Sequence, residues 1–152
     1  MHDDRDVPRD ADAAEDDAAS AGNAGETADA GDRESAYELL RRGEAFLRTR
    51  HHAQAAVVLE RANRLEPGKG SILEALGRAR FNAGQHEAAR EAFEVLLEAD
   101  PASAYGHFGL GQCLRKLGRH REALTHLRLA VAMDPRSDVF RGALARATPP
   151  RG

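Results

Sequence analysis

Tryptophan is absent from the 152 residues, and aromatic side chains make up only 5% of them, so any core is built mostly from Ala, Leu and Val. The single cysteine, Cys113, excludes an internal disulfide framework and a cysteine-rich zinc site. Apolar runs long enough to span a bilayer are missing, which argues against a membrane partner. A secretory signal needs a basic start followed by an apolar stretch, and neither is present. The start is also too acidic for an organellar transit peptide, so the sequence points to the cytoplasm.

What is present is a divided charge. The formal net charge of −3 hides eleven acids and three arginines in residues 1–33, a balance of −8, against 14 acids and 19 bases in the remainder, a balance of +5. Within residues 1–33, Met1 and Val7 are the only large apolar side chains. Such a segment cannot bury enough surface to offset chain entropy of about 1–2 kcal/mol per residue. Residues 1–34 are therefore expected to be a disordered acidic tail, solubilising in character, ahead of a domain over 35–148 and a short tail at 149–152.

From Ser35 onward the sequence repeats. Pro67, Pro101 and Pro135 are 34 residues apart, as are Gly43, Gly77 and Gly111. Ala55, Ala89 and Ala123 keep the same interval, and so do Leu59, Phe93 and Leu127. Four agreeing columns divide the chain into units 36–69, 70–103 and 104–137. Each unit reads as two helices, the first over Ala36–Arg48, Ser71–Asn82 or Ala104–Lys116, the second over His52–Leu65, His86–Ala99 or His120–Met133. Apolar residues such as Leu73, Leu76, Phe81, Ala89, Phe93 and Leu96 recur at helical steps.

The punctuation agrees with that division. Gly84 and Gly118 fall between paired helices, with Arg50 as their unusual counterpart, and the prolines close each unit because Pro cannot donate within a helix. Ser35, Ser103 and Ser137 precede helices at one phase, where a hydroxyl caps a free amide; in the second unit Ser71 and Glu74 suggest a displaced capping box. Asp138–Ala147, with Phe140 and Leu144 on one side, reads as a final covering helix.

A helix-interior glycine costs about 1 kcal/mol relative to alanine. Recurrence of Gly43, Gly77 and Gly111 at one phase therefore demands a compensating contact. Ala55, Ala89 and Ala123 of the partner helix are expected to supply it, with Leu59, Phe93 and Leu127 filling the space beside them.

Signs of catalysis or metal binding are weak. His52, His86 and His120 lie 34 residues apart, so equivalent positions on successive units are separated by about 10 Å and cannot share an ion whose ligands lie about 2 Å away. Cys113 shares a column with Ala45 and Ala79, which predicts burial rather than reactivity. Gly68-Lys69-Gly70-Ser71 lacks the leading glycine, the Lys-Ser adjacency and the preceding strand of a phosphate loop. No catalytic residue, cofactor site or metal site is assigned. The basic cluster Arg115, Lys116, Arg119, His120 and Arg121 reads as a solvated helix end, with no accompanying nucleic-acid module.

These columns resemble the tetratricopeptide repeat (TPR) family, whose unit of 34 residues carries W-x2-L-G-x2-Y, then A-x3-F, then P. The opening slot holds Leu39, Leu73 and His107; the Leu-Gly pair appears as Arg42-Gly43, Leu76-Gly77 and Leu110-Gly111; the Tyr slot holds Phe46, Arg80 and Leu114. The resemblance implies an all-α, right-handed α-solenoid of three TPR hairpins plus a capping helix over 138–147. It also implies a concave face, lined by the first helices, that holds a peptide segment of a protein partner.

Carrying the family's phases across, the groove candidates are Tyr37, Leu40, Glu44, Leu47 and Arg48, then Glu74, Arg78, Phe81 and Asn82, then Tyr105, Phe108, Gln112, Arg115 and Lys116. The Lys-Asn-Arg clamp with which some relatives hold a terminal carboxylate falls on Leu40, Glu44, Ala75, Tyr105 and Gly109, so that subtype is not expected. An apolar peptide with an acidic flank meeting Arg115 and Lys116 fits better. Gly106, Gly109 and Gly111 crowd one helix, which is expected to be the least rigid and to order on binding.

The function expected is thus a non-enzymatic adaptor, scaffold or chaperone-like module. The alternative is a self-associating homodimer, formed through the groove or an exposed Phe140 end, with the acidic tail as an autoinhibitor.

Overall fold

The computed structural model describes residues 33–151; the acidic segment expected to be disordered lies, over residues 1–32, outside the described residues. Seven α-helices follow in order: α1 Ala36–Arg48, α2 His52–Leu65, α3 Gly70–Asn82, α4 His86–Ala99, α5 Ala104–Lys116, α6 His120–Met133 and α7 Asp138–Ala147. Each packs on its neighbours in the chain. In addition α1 touches α3, α3 touches α5 and α5 touches α7, whereas α2, α4 and α6 make no such contacts among themselves. The odd-numbered helices are therefore crowded onto the inner side of a curved stack.

Local chemistry starts and stops these helices. Ser35 forms a reciprocal capping box with Glu38, its Oγ accepting from the Glu38 amide at 3.1 Å while the Glu38 carboxylate accepts from the Ser35 amide at 3.0 Å. Ser103 and Ser137 accept from the amides of Gly106 and Phe140 at 2.9 and 3.1 Å. The displaced box at Ser71 and Glu74 does not form. The Leu73 amide already donates to the Lys69 carbonyl, so α3 begins one residue early and Ser71 falls inside its first turn.

Helices α1, α3 and α5 end alike. Arg50, Gly84 and Gly118 adopt left-handed φ values of +67°, +83° and +83°. Their amides donate to Leu47, Phe81 and Arg115, and the following amides donate to Phe46, Arg80 and Leu114, in one repeated pattern. Arg50 is the one non-glycine in the series, and a side-chain-bearing residue in that conformation costs roughly 1–2 kcal/mol. Arg50→Gly is expected to raise stability by about 1 kcal/mol in urea unfolding, the strain relieved exceeding the entropy glycine adds to the unfolded chain.

The glycine column packs differently from the expectation. A Cβ on Gly43 would lie 2.4 Å from Leu59 Cγ, one on Gly77 2.6 Å from Phe93 Cζ, and one on Gly111 2.8 Å from Leu127. The nearest neighbours of the missing methyls are thus the large residues, not Ala55, Ala89 and Ala123. In the third unit the Ala123 carbonyl does approach, at 3.2 Å. Each glycine is a slot for one bulky side chain of the partner helix, and the alanines are buried beside it.

The other two glycines of α5 are used the same way. A Cβ on Gly109 would meet Phe93 Cζ at 2.4 Å, and one on Gly106 would meet Leu97 at 2.9 Å. Both positions are filled by neighbouring side chains, and α5 runs unbroken from Ala104 to Lys116. Packing therefore accounts for all three glycines of α5.

Two departures from the family pattern find partners. Arg80, in the Tyr slot, donates to the Ala88 carbonyl at 3.1 Å and lies 3.9 Å from Glu60, tying α3 to α4 and α2. Arg42, in place of Leu, pairs with Glu34 at 2.6 Å on the outer edge of α1. At the other end Phe140 is buried and stacks on Phe108 with ring centroids 5.0 Å apart. The exposed Phe140 end invoked for a homodimer is therefore not available, because that ring covers α5.

Cys113 is fully buried, and burial pushes its thiol up to about 12. It is expected to resist thiol reagents at neutral pH in the native chain and to react fully once denaturant is added.

Candidate functional site

The concave side of α1, α3 and α5 contains two adjoining hollows. The first, about 520 Å³, is lined by Glu44, Leu47 and Arg48 from α1, Ser71, Glu74, Ala75 and Arg78 from α3, and Tyr105 from α5. The second, about 270 Å³, is lined by Arg78, Phe81, Asn82, Phe93, Tyr105, Phe108, Gly109, Gln112 and Val139. Arg78 and Tyr105 belong to both, so they mark the crossing from a charged half to an aromatic half.

The aromatic half is built as a chain of rings. Phe93 meets Tyr105 edge-on with centroids 6.0 Å apart, Tyr105 meets Phe108 at 5.6 Å, and Phe108 stacks on Phe140. Exposed Val139 of α7 closes the end. Burial pushes the Tyr105 phenol up to about 12 despite the opposing Arg78 guanidinium, so the ring is neutral throughout the physiological range.

Among the described residues the charged half holds no ion pair, as is also true of surface residues such as Arg121 and Arg128. Elsewhere Arg64, Lys69, Arg90, Arg119 and Arg141 each pair with a carboxylate on their own helix or turn. Among the described residues, Glu44, Arg48, Glu74 and Arg78 form no ion pair within 4.0 Å. Burial holds the Glu74 carboxyl above the usual carboxylate range, opposed by Arg78 and reinforced by Asp100. Arg78 bonds to the Tyr105 phenol, which leaves Glu44, Arg48 and Glu74 as the open charges of a partly desolvated face.

Of the groove candidates, the hollows gather Glu44, Leu47, Arg48, Glu74, Arg78, Phe81, Asn82, Tyr105, Phe108 and Gln112. Four fall elsewhere. Tyr37 is exposed, and its hydroxyl accepts from Arg41 at 2.9 Å, with that guanidinium over its ring. Leu40 is buried in the core of the first hairpin. Arg115 and Lys116 line neither hollow; Lys116 is close enough to His86 to add to the burial that lowers that imidazole's pKa. The bases bordering the hollows are Arg48 and Arg78 instead.

Ser71, Ala75, Phe93, Gly109 and Val139 also line the hollows and are not among the groove candidates. Gly109 was legible from register, since its equivalents are Ala75 and Ala143; Val139 required knowing how α7 sits. Among the described residues no group of three His, Cys, Asp or Glu is placed to hold a metal ion, and no helix is long and apolar enough to cross a membrane.

Comparison with known proteins gives concordant matches. Residues 40–104 and 74–138 match the tetratricopeptide repeat family. Superkiller complex protein 3 of Mus musculus is 32% identical over 97 residues, 64% of this chain but 6% of that protein, so the chain spans a small fraction of such a relative's length. Among solved structures, the first TPR domain of Spaghetti (RPAP3), bound to the HSP90 peptide SRMEEVD, superposes with a TM-score of 0.70 at 12% identity, covering 74% of this chain and 90% of that one. The type III secretion chaperone SycD of Yersinia enterocolitica, in complex with a peptide of the translocator YopD, gives 0.64 at 20% identity, covering 73% and 85%. The seven helices, the period they keep and the two overlapping family matches lead to one assignment: this chain belongs to the tetratricopeptide repeat family.

Proposed function

We propose that the chain is a non-enzymatic adaptor or chaperone-like scaffold that holds an extended segment of a partner protein along the inner face of α1, α3 and α5. One large apolar side chain of that segment sits in the aromatic hollow, and flanking charged residues pair with Arg78, Glu74, Arg48 and Glu44. The observation that carries this reading is the junction of the two hollows at Arg78 and Tyr105, where an apolar cup adjoins charges that form no ion pair. Anchors of this kind dominate binding energies at interfaces. The fold shared with two proteins solved with peptides supports it. With Leu40, Glu44, Ala75, Tyr105 and Gly109 at the carboxylate-clamp phases, the partner segment is held by its interior rather than by its terminus.

The test is selection of a random peptide library on the immobilised full chain. Enriched peptides are expected to combine a bulky apolar residue with neighbouring charges and to lose binding to Val139→Asp while keeping it to Val57→Asp, an exposed site on α2 away from the hollows. Peptides that bind both variants equally overturn the placement.

A further inference from the structure

We propose that His107 and His126 form a latch between α5 and α6 that tolerates one added proton and opens on the second. The two Nδ1 atoms are 3.0 Å apart, and His107 Nε2 lies 2.9 Å from the Pro101 carbonyl oxygen. The rings stack at 5.2 Å with 18° between their planes, and His107 is buried in the slot that holds Leu39 and Leu73 in the other hairpins.

The proton count follows from the partners. A carbonyl oxygen only accepts, so His107 Nε2 carries hydrogen and donates to Pro101. In neutral His107 the Nδ1 lone pair is then free to accept, and the contact at 3.0 Å requires His126 Nδ1–H to donate to it. A first added proton goes to His126 Nε2 and leaves both bonds intact. A second must occupy His107 Nδ1. Two N–H groups then face each other, the bond is lost, and two cations are held within one ring contact.

The surrounding charges set where this happens. Glu94 and Glu98 of α4 line the same hollow as the two rings, Glu94 being shared with Arg90, and Glu122 stands one turn before His126 on α6. These carboxylates favour the first proton. Burial and then His107 itself hold the pKa of His126 below the ordinary histidine value, with Glu122 and Glu94 opposing.

The unfolded chain accepts a proton on each imidazole below about pH 6.5, whereas the closed pair has room for one. The stability of the closed pair is thus present above that value and lost as pH falls below it. The Nε2–H donor to Pro101 in the α4–α5 turn is kept, so release loosens α5 on its α6 side. The inner-face residues Tyr105 and Phe108 ride on that helix, whether or not they bind a peptide.

The test uses the full chain. Ring-nitrogen NMR at about pH 7.5 is expected to show opposite neutral tautomers, Nε2–H for His107 and Nδ1–H for His126. Between about pH 7.5 and about pH 5, exchange protection of α5 amides relative to α1 and α2 is expected to fall about tenfold, the equivalent of one pKa unit. His126→Asn keeps an N–H near the Nδ1 position without titrating, so its loss of protection is expected to be less than about twofold over the same range. The same tautomer in both rings overturns the latch even if the variant does not fold. Equal loss of α5 protection in His126→Asn and in the natural chain overturns it as well.

Discussion

Phe93→Ala is expected to remove about 3–5 kcal/mol of stability, the range for emptying a large aromatic side chain from a core. A domain of this size has only about 5–15 kcal/mol to lose, and the thermal midpoint should drop on the order of 10–20 °C. The reason is the position of one ring. Phe93 leaves α4 and inserts its outer edge between backbone of α3 and backbone of α5, at Gly77 and Gly109. Leu96, one turn on, touches Gly70 and Gly106 across the same joint, but at 3.6 and 3.2 Å rather than below 3.0 Å.

The other two hairpins supply a control. At equivalent positions of the other hairpins the bulky residue is Leu59 or Leu127, and where Phe93 faces Gly109 those leucines have Ala75 and Ala143 at the matching register. A smaller wedge thus goes with a larger wall. Gly109→Ala alone, or Gly77→Leu, is expected to overpack the joint by roughly 1–3 kcal/mol or more. Phe93→Leu combined with Gly109→Ala recreates the arrangement of the first hairpin and should recover most of that loss. A double-mutant cycle by urea unfolding measures the coupling, and additive losses would contradict the wedge.

The second large effect concerns binding. For a peptide selected on the natural chain, Val139→Asp is expected to weaken affinity about 100-fold, close to 3 kcal/mol. Val139 is exposed in the free chain, so the charge is solvated there and the fold is little affected. Once an apolar side chain fills the hollow, the same carboxylate is stripped of water against it, at a cost that Arg78 at the junction of the hollows offsets only in part. Isothermal titration checks this, with the unfolding midpoint of the variant measured alongside. Undiminished affinity would move the anchor out of this hollow.

Much of the architecture was readable from one period. The helix limits, the serine caps and the left-handed turns all follow from columns kept in step by the backbone, and Arg50 is the exception visible in the columns themselves. Side-chain partnerships were harder, because a column says which positions are equivalent and not which one each touches. The glycines were rightly read as close approaches, yet assigned to the alanines four residues before the bulky residue that fills them. The His107–His126 contact obeys no period. Its members are 19 residues apart and have no imidazole counterpart in the other hairpins, so nothing in the spacing announced it. The groove divides along the same line. Residues inherited by phase from α1 and α3 fell mostly into the hollows, whereas Val139 and the burial of Phe140 depended on how α7 lies across α5.

Helices here touch only those one or two places along the chain. No distant ends must find each other, so the polypeptide should fold fast for its length, as chains of low contact order do. The same locality makes the array extensible. Its length is set by where α7 lies across the last hairpin, and splicing another unit beneath that lid would lengthen the trough while remaking a single junction.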